Sequence, residues 1–216
     1  MHNTVKNLIY IEELIKSKAN DDELAKVIAV SKTFPMENIL PLIEHGHLHY
    51  GENKVQEALD KWSDIKLKNN AIKLHLIGRL QTNKVKFALR IFDYIHSLDS
   101  EKLATKISVE QAKQAKKPKI FIQVNIGNED QKSGIDKRNL NDFYKFCKNL
   151  NLDIIGTMCI PPNDSYTEKY FSEMSDINKE LNFKELSMGM SADYLEAIKY
   201  NATYVRLGSK IFGIRD

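Results

Sequence analysis

Eight short apolar runs recur along this chain, each followed by a helical pattern or a polar loop. They are Val27–Val30, His47–Tyr50, Lys73–Ile77, Tyr94–Leu98, Ile120–Ile126, Asp153–Met158, Glu185–Met188 and Tyr204–Leu207. Runs of continuous rather than alternating apolar character suit strands buried on both faces, as in a parallel sheet. Their regular alternation with helical patterns is the signature of α/β architecture. Eight such units close a (β/α)8 barrel. An open doubly wound sheet is the competitor; the count of eight and the absence of a glycine-rich dinucleotide fingerprint disfavour it. Residues 4 to 18 precede the first run and place Val5, Leu8, Ile9, Leu14, Ile15 and, less regularly, Ile11 near one helical face. The expected fold is therefore α/β: a single TIM-like barrel with an extra N-terminal helix.

The expected helix boundaries follow from local signals. Pro35 sits at a plausible first helical position, and that helix stops at Gly46. Val55, Leu59 and Trp62 mark the inner side of the next helix, and Thr82 is a candidate N-cap for the one after it. Asp99-Ser100 opens a helix to about Lys116, and further helices are expected over Leu140–Leu150, Tyr166–Leu181 and from Asp193. The chain should end in a turn after Gly208-Ser209.

Composition removes several classes of function. With 216 residues and no linker or composition shift, residues 1–216 read as one domain. The net charge of +3, from 32 basic and 29 acidic residues, is too mild and dispersed to argue for nucleic acid. No apolar stretch approaches a membrane span, and the N-terminus carries no signal-peptide pattern, so a cytoplasmic protein is expected. Cys147 and Cys159 lack metal-ligand spacing and read as reduced and incidental.

In a barrel of this type the chemistry lies at the C-terminal ends of the strands. Reading off those ends gives Lys32, Asn53, His75 with Gly78, Ser97 with Asp99, Asn125, Met158, Ser187 with Ser191, and Arg206 with Gly208 and Ser209. A lysine at the end of a buried strand has its stem in the core and its amine at the rim. Desolvation there disfavours the ammonium and makes lysine a usable nucleophile toward an aldehyde. After the last two strands, Ser187-Met-Gly-Met-Ser191 and Arg206-Leu-Gly-Ser209 offer small residues, backbone N–H groups and hydroxyls. Loops after strands seven and eight commonly hold phosphate in this fold. A reactive lysine plus a phosphate cradle suggests a phosphorylated aldehyde. Pyridoxal 5′-phosphate fits, held as a Schiff base. A Schiff-base aldolase uses the same two elements, though its lysine belongs more naturally on a mid-barrel strand.

The chain also resembles the YggS/PROSC-type pyridoxal phosphate homeostasis proteins. The matching segments are Ala29-Val-Ser-Lys-Thr33, Gly51-Glu-Asn53 with Val55-Gln-Glu57, His75-Leu-Ile-Gly78, and Leu80-Gln81 with Asn83-Lys84. They continue through His96-Ser-Leu-Asp-Ser100, Gln123-Val-Asn125, Lys132-Ser-Gly-Ile135, and Gly156 with Met158. Leu186-Ser-Met-Gly-Met-Ser191 and Val205-Arg-Leu-Gly208 with Phe212-Gly213 complete the set, so the match spans nearly the whole chain in order. The resemblance implies the barrel of bacterial alanine racemase without that enzyme's second β domain. It implies pyridoxal phosphate on Lys32 and phosphate held by Ser187, Ser191, Gly208 and Ser209. Arg206 is expected near the ring or the phosphate, and Asn53 near the cofactor. Ser209 stands where the family commonly has threonine, which keeps the hydroxyl. Lys84 and Lys132 read as solvated charges ahead of secondary cofactor contacts.

Holding the cofactor does not by itself establish catalysis. A racemase needs acid–base groups on both faces of the substrate carbanion, and no tyrosine is placed by motif to partner Lys32. The expectation is a protein that binds pyridoxal phosphate and keeps its free level in balance, as a monomer, with exchange to apo-enzymes open. The alternative is an amino-acid racemase or decarboxylase.

Overall fold

The computed structural model describes residues 1–18, 24–114, 116–129 and 131–213. Eight parallel strands close into a barrel in sequence order. They are β1 (Lys26–Val30), β2 (His49–Glu52), β3 (Lys73–Leu76), β4 (Tyr94–Leu98), β5 (Lys119–Val124), β6 (Asp153–Cys159), β7 (Glu185–Met190) and β8 (Tyr204–Leu207). Closure is made by β8 against β1, from Lys26 opposite Tyr204 to Ala29 opposite Leu207. Around the strands lie α1 (Asn3–Lys18), α2 (Met36–Glu44), α3 (Val55–Lys68), α4 (Val85–Ile91) and α5 (Glu101–Gln114). The ring is completed by α6 (Leu140–Asn149), α7 (Thr167–Glu180), α8 (Tyr194–Lys199) and the one-turn α9 (Ser209–Phe212). The fold class and the extra N-terminal helix are those expected from the sequence.

Two cores result from the strand period of two, which sends alternate side chains to opposite faces. Outward-facing residues such as Val27, Ala29, Leu74, Ile95 and Leu186 join the buried faces of the helices in one shell. Inside the barrel, Ile28, Tyr94, Phe121, Met158 and Tyr204 form a second, smaller cluster. The N-terminal helix α1 buries Val5, Leu8, Ile11 and Ile15, a spacing that keeps one stripe on the core. The amide of Asn7 on α1 donates to Ile211 O on α9 (3.0 Å), tying the two ends of the chain together.

Several boundaries differ from the expectation. Strand β2 starts at His49, because residues 45–47 are spent closing α2: His45 N–H bonds Pro41 O and His47 N–H bonds Leu42 O. Gly46 makes that reversal at φ +95°. Pro35 is the extended residue before α2 rather than its first residue. Thr82 does not cap α4; it opens a 3₁₀ turn, Thr82–Lys84, that leads into the helix. Ser100 does sit at a helix start, its hydroxyl accepting from Leu103 N–H at 3.4 Å. That helix is described to Gln114, and Ala115 lies outside the described residues. The terminal turn is a helical one, α9. Among the described residues no helix is long and apolar enough to cross a membrane.

Candidate functional site

A cavity of about 630 Å³ opens at the C-terminal rim of the barrel, a size suited to a small organic ligand. Its walls include Lys32 after β1, Asn53 after β2, Ser191 after β7, and Arg206, Gly208 and Ser209 from the end of β8 and beyond. Those are the residues expected to hold the cofactor, with one exception; of the wider strand-end set, His75, Gly78, Ser97, Asp99, Asn125 and Met158 do not line the cavity. Ser187 lies inside β7, fully buried, and is not part of the cavity wall. Its hydroxyl is taken up by Arg206 Nη1 at 2.7 Å and by His96 Nδ1 at 2.9 Å. Apolar walls are added by Val30, Ile77, Ile160 and Met190, for which nothing but strand-end position was a signal.

The Ser31–Thr33 segment that carries Lys32 is braced from behind. Glu52 at the end of β2 is completely buried. Its Oε1 accepts from the Ser31 hydroxyl (2.7 Å), Trp62 Nε1 (3.0 Å) and Lys61 Nζ (3.1 Å). Lys61 also donates to Ser31 O at 2.9 Å and to Glu57 Oε1 at 3.1 Å. Glu57 in turn accepts the Thr33 N–H at 2.6 Å. Burial would raise the Glu57 carboxyl, but the Thr33 N–H and the Lys61 ammonium outweigh it and hold it below its ordinary range. Thr33 stands at φ +66°, the left-handed region, which β-branched residues rarely enter. The braces from α3 thus hold a strained turn next to the lysine. Sequence reasoning did not assign Glu52, Glu57, Lys61 and Trp62 this role. The signal was there in the i, i+4 spacing of Glu57 and Lys61, which puts both on one helix face.

The remaining walls are set by close approaches. A Cβ on Gly78 would fall 2.5 Å from Asn53 O, so a side chain there would displace the Asn53 loop from the rim. Arg206 is 5% exposed. Its guanidinium donates to Ser187 O (2.9 Å), Ser187 Oγ (2.7 Å) and Cys159 O (2.8 Å), all neutral oxygens. Burial lowers its pKa. A buried cation bonded to neutral acceptors favours an anionic or electron-rich partner. The adjoining Cys159 thiol is pushed up to about 12 by burial, which keeps it protonated and unreactive. At α9 the first amides, of Ser209 and Lys210, have no partner within the helix and sit beside Gly208.

Whether these residues suit pyridoxal phosphate rests on three features. No carboxylate lines the cavity among the described residues, while an amine and a guanidinium do. The atoms nearest a Cβ on Gly208 would be those of Val30, at an ordinary 3.6 Å, so the chain's own packing does not require glycine there and the space adjoins the cavity. Hydroxyls and amides of Ser191 and Ser209 supply neutral donors. The residues fit a phosphorylated aldehyde.

Two other predicted residues fall outside this group. Lys132 pairs with Glu129 (2.5 Å) on the loop after β5, and Lys84 ends the 3₁₀ turn before α4. Tyr50 is buried with its hydroxyl on His47 O at 3.1 Å, directed away from the rim cavity.

Residues 12–216 match the alanine racemase N-terminal domain family. Among curated relatives, the pyridoxal phosphate homeostasis protein of Pasteurella multocida is 37% identical over 218 residues, covering 95% of this chain and 93% of the relative. The protein of the same name from Escherichia coli is 31% identical, covering 100% of this chain and 98% of the relative. The structure of PipY from Synechococcus elongatus with pyridoxal phosphate bound superposes with a TM-score of 0.86 at 30% identity, covering 97% of this chain and 100% of that one. Alanine racemase of Clostridium difficile shares the fold, with a TM-score of 0.76 at 14% identity. This chain covers 57% of it.

Proposed function

This chain belongs to the alanine racemase N-terminal domain family and, within it, to the pyridoxal phosphate homeostasis proteins. From that premise we propose that it binds pyridoxal 5′-phosphate in the rim cavity and serves to keep the free cofactor in balance. Residues 1–216 act in this reading as one cofactor-binding unit. The observation that carries it is the convergence, in one cavity with no carboxylate among its described lining residues, of Lys32, Asn53, Arg206 and the Gly208-Ser209 helix start.

When bound, the cofactor would supply an electrophilic aldehyde for the Lys32 amine and an electron-withdrawing ring. The chain's own residues do the rest. Lys32 presents its amine from a turn that Glu52, Glu57 and Lys61 hold in place. Ser191, Gly208 and Ser209 receive the phosphate with hydroxyls and amides, and the α9 terminus adds a favourable field. Arg206 directs fixed positive charge into the cavity, and Ile77, Ile160 and Met190 keep water from its apolar side.

A role in holding rather than turning over substrate is favoured by the proton-transfer groups at hand. Among the described lining residues Lys32 is the one titratable side chain besides Arg206, whose guanidinium stays charged. The Tyr50 hydroxyl, the tyrosine nearest in sequence, is bonded at the other end of the barrel. One such group serves one face of a substrate carbanion, whereas racemisation needs two. The protein in this reading is a cytoplasmic monomer that exchanges cofactor with apo-enzymes.

The test is an absorption spectrum of purified protein with added pyridoxal phosphate, before and after borohydride, beside Lys32→Ala. A visible band that borohydride traps on Lys32, and that the variant lacks, is expected. No band in the wild type removes the proposal. Incubation with alanine or serine should give no enantiomer conversion above the Lys32→Ala control; conversion that survives purification would replace the carrier reading with the racemase one.

A further inference from the structure

Three histidines sit in a row inside the barrel, on adjacent strands. His49 Nδ1 lies 2.9 Å from His75 Nε2, and His75 Nδ1 lies 2.9 Å from His96 Nε2. His96 Nδ1 lies 2.9 Å from Ser187 Oγ, which is 2.7 Å from Arg206 Nη1. Every link runs in the same sense, from Nδ1 of one ring to Nε2 of the next. The rings are clamped: His75 stacks on Tyr94 at 4.2 Å, His96 stacks on Phe121 at 4.3 Å, and Tyr204 touches all three. His75 and His96 are completely buried, and His49 borders a second cavity at the opposite, N-terminal end of the barrel. The row therefore connects the barrel floor to a residue of the rim cavity.

The direction of its protons follows from donor and acceptor counting. A guanidinium only donates, so Ser187 Oγ accepts from Arg206. The serine proton then needs an acceptor, and His96 Nδ1 is the one in reach. That places the His96 proton on Nε2, where it meets His75 Nδ1. The His75 proton is likewise on Nε2, facing His49 Nδ1, and the His49 proton on Nε2 faces the floor. The reverse order leaves the Ser187 proton without an acceptor among the described residues, at a fully buried site where the desolvation cost is undiminished. Each ring must be neutral for this count. Burial pushes His75 and His96 well below the ordinary histidine range; the nearby ring of His96 adds to this for His75, and the Arg206 guanidinium for His96.

We propose that Arg206, Ser187, His96, His75 and His49 form a one-way hydrogen-bond relay joining the rim cavity to the barrel floor. Ser187, His96 and His75 are positioning residues for Arg206 in this scheme, and the state of His49 and the hydrogen bonding of Arg206 are reciprocally coupled. The relay stands on the protein's own geometry; only its response to pyridoxal phosphate rests on the function proposed above.

The test is nitrogen NMR of the imidazole rings in ¹⁵N-labelled protein without cofactor at neutral pH. All three rings should carry the proton on Nε2. A proton on Nδ1 of His75 or His96 in the wild type overturns the relay. In Ser187→Ala the polarity source is cut, and the pattern should change not only at His96 but at His49, three hydrogen bonds away; Ser187→Thr, which keeps the hydroxyl, should restore it. A merely structural serine would leave His49 unmoved, and that result in a folded variant also overturns the proposal. Adding pyridoxal phosphate to the wild type should shift the His49 nitrogens, and His75→Phe should silence His49 while leaving the His96 response. An unmoved His49 in a wild type that has taken up the cofactor counts against the coupling. If the cofactor does not bind at all while the three tautomers are as stated, the proposed function falls and the relay stands.

Discussion

The two ends of the barrel carry cavities of the same size, about 630 Å³ each, with opposite chemistry. At the rim the charged residues among the described lining are Lys32 and Arg206. At the floor they include Glu12, Glu13, Lys16 and Lys26, beside His45, His47 and His49. A phosphate entering the rim meets positive charge and free amides; at the floor the two ammoniums are balanced by two carboxylates. Volume does not distinguish the two ends, and charge does. The histidines differ as well, since desolvation of the half-buried His47 and His49 rings disfavours their charged forms, whereas the rim holds its cation buried on neutral oxygens.

The largest effect that separates the two ends should come from exchanging their lysines. Lys32→Ala should weaken pyridoxal phosphate binding by about 100-fold or more, roughly 2.7 kcal/mol, and abolish trapping by borohydride. Lys26→Ala at the floor loses a half-exposed pair with Glu185 at 3.6 Å and a contact over the Tyr204 ring at 5.0 Å. It should leave binding within about twofold and cost less than ~1 kcal/mol of stability. Equal losses from both substitutions would mean that the rim is not the site.

Next is the acid sensitivity of the floor. Burial depresses both His47 and His49 to about 4. A histidine whose folded pKa lies below its unfolded value gives stability that is complete above the unfolded value of 6.5 and lost as pH falls toward 4. For His47 alone the fall from pH 7 to 5 is about 2 kcal/mol, or a drop in Tm of roughly 4–8 °C for a chain of this size. Urea unfolding at the two pH values measures it, and His47→Gln should remove that share of the fall and leave the share due to His49. An unchanged midpoint in the wild type would show that the floor rings are already solvated.

The rim was the more legible end. Lys32, Asn53, Ser191, Arg206, Gly208 and Ser209 could be read because barrel topology fixes where strand ends go, and the continuous apolar runs locate those ends to within a residue or two. Ser187 was misplaced by that same limit. Strand β7 continues to Met190 through Gly189 at φ +89° and a register shift against β8, so Ser187 falls inside the barrel rather than on the rim. The floor was illegible for a different reason. His47 and His49 read as the start of a short strand, and nothing local tells a ring that faces solvent from one that bonds a neighbour on the next strand. The His49–His75–His96 row depends on parallel register, which sequence spacing alone does not set.

Gly208→Ala sharpens the comparison from the rim side with a smaller effect. The new methyl meets Val30 at an ordinary 3.6 Å, so stability should stay within about 0.5 kcal/mol. It occupies cavity space meant for ligand, and affinity for pyridoxal phosphate should fall about tenfold, ~1.4 kcal/mol. Isothermal titration beside a melting curve separates the two readouts. Unchanged affinity would place the ligand away from the β8 end of the cavity.

Smallest of all is the strain at Thr33. A non-glycine residue in the left-handed region costs about 1–2 kcal/mol, and Thr33 is held there by its N–H on Glu57 and by its place beside Lys32. Thr33→Gly removes that cost, keeps the backbone bond, and adds about 0.5–1 kcal/mol of unfolded-chain entropy against folding. The balance favours the variant by about 0.5–1 kcal/mol, a rise in Tm of roughly 1–4 °C. The same glycine loosens the turn that aims Lys32, so cofactor capture should slow even as the protein becomes more stable, the trade expected where strain serves a site. A lower Tm in Thr33→Gly would mean that the threonine side chain stabilises the rim by contacts that outweigh its backbone strain.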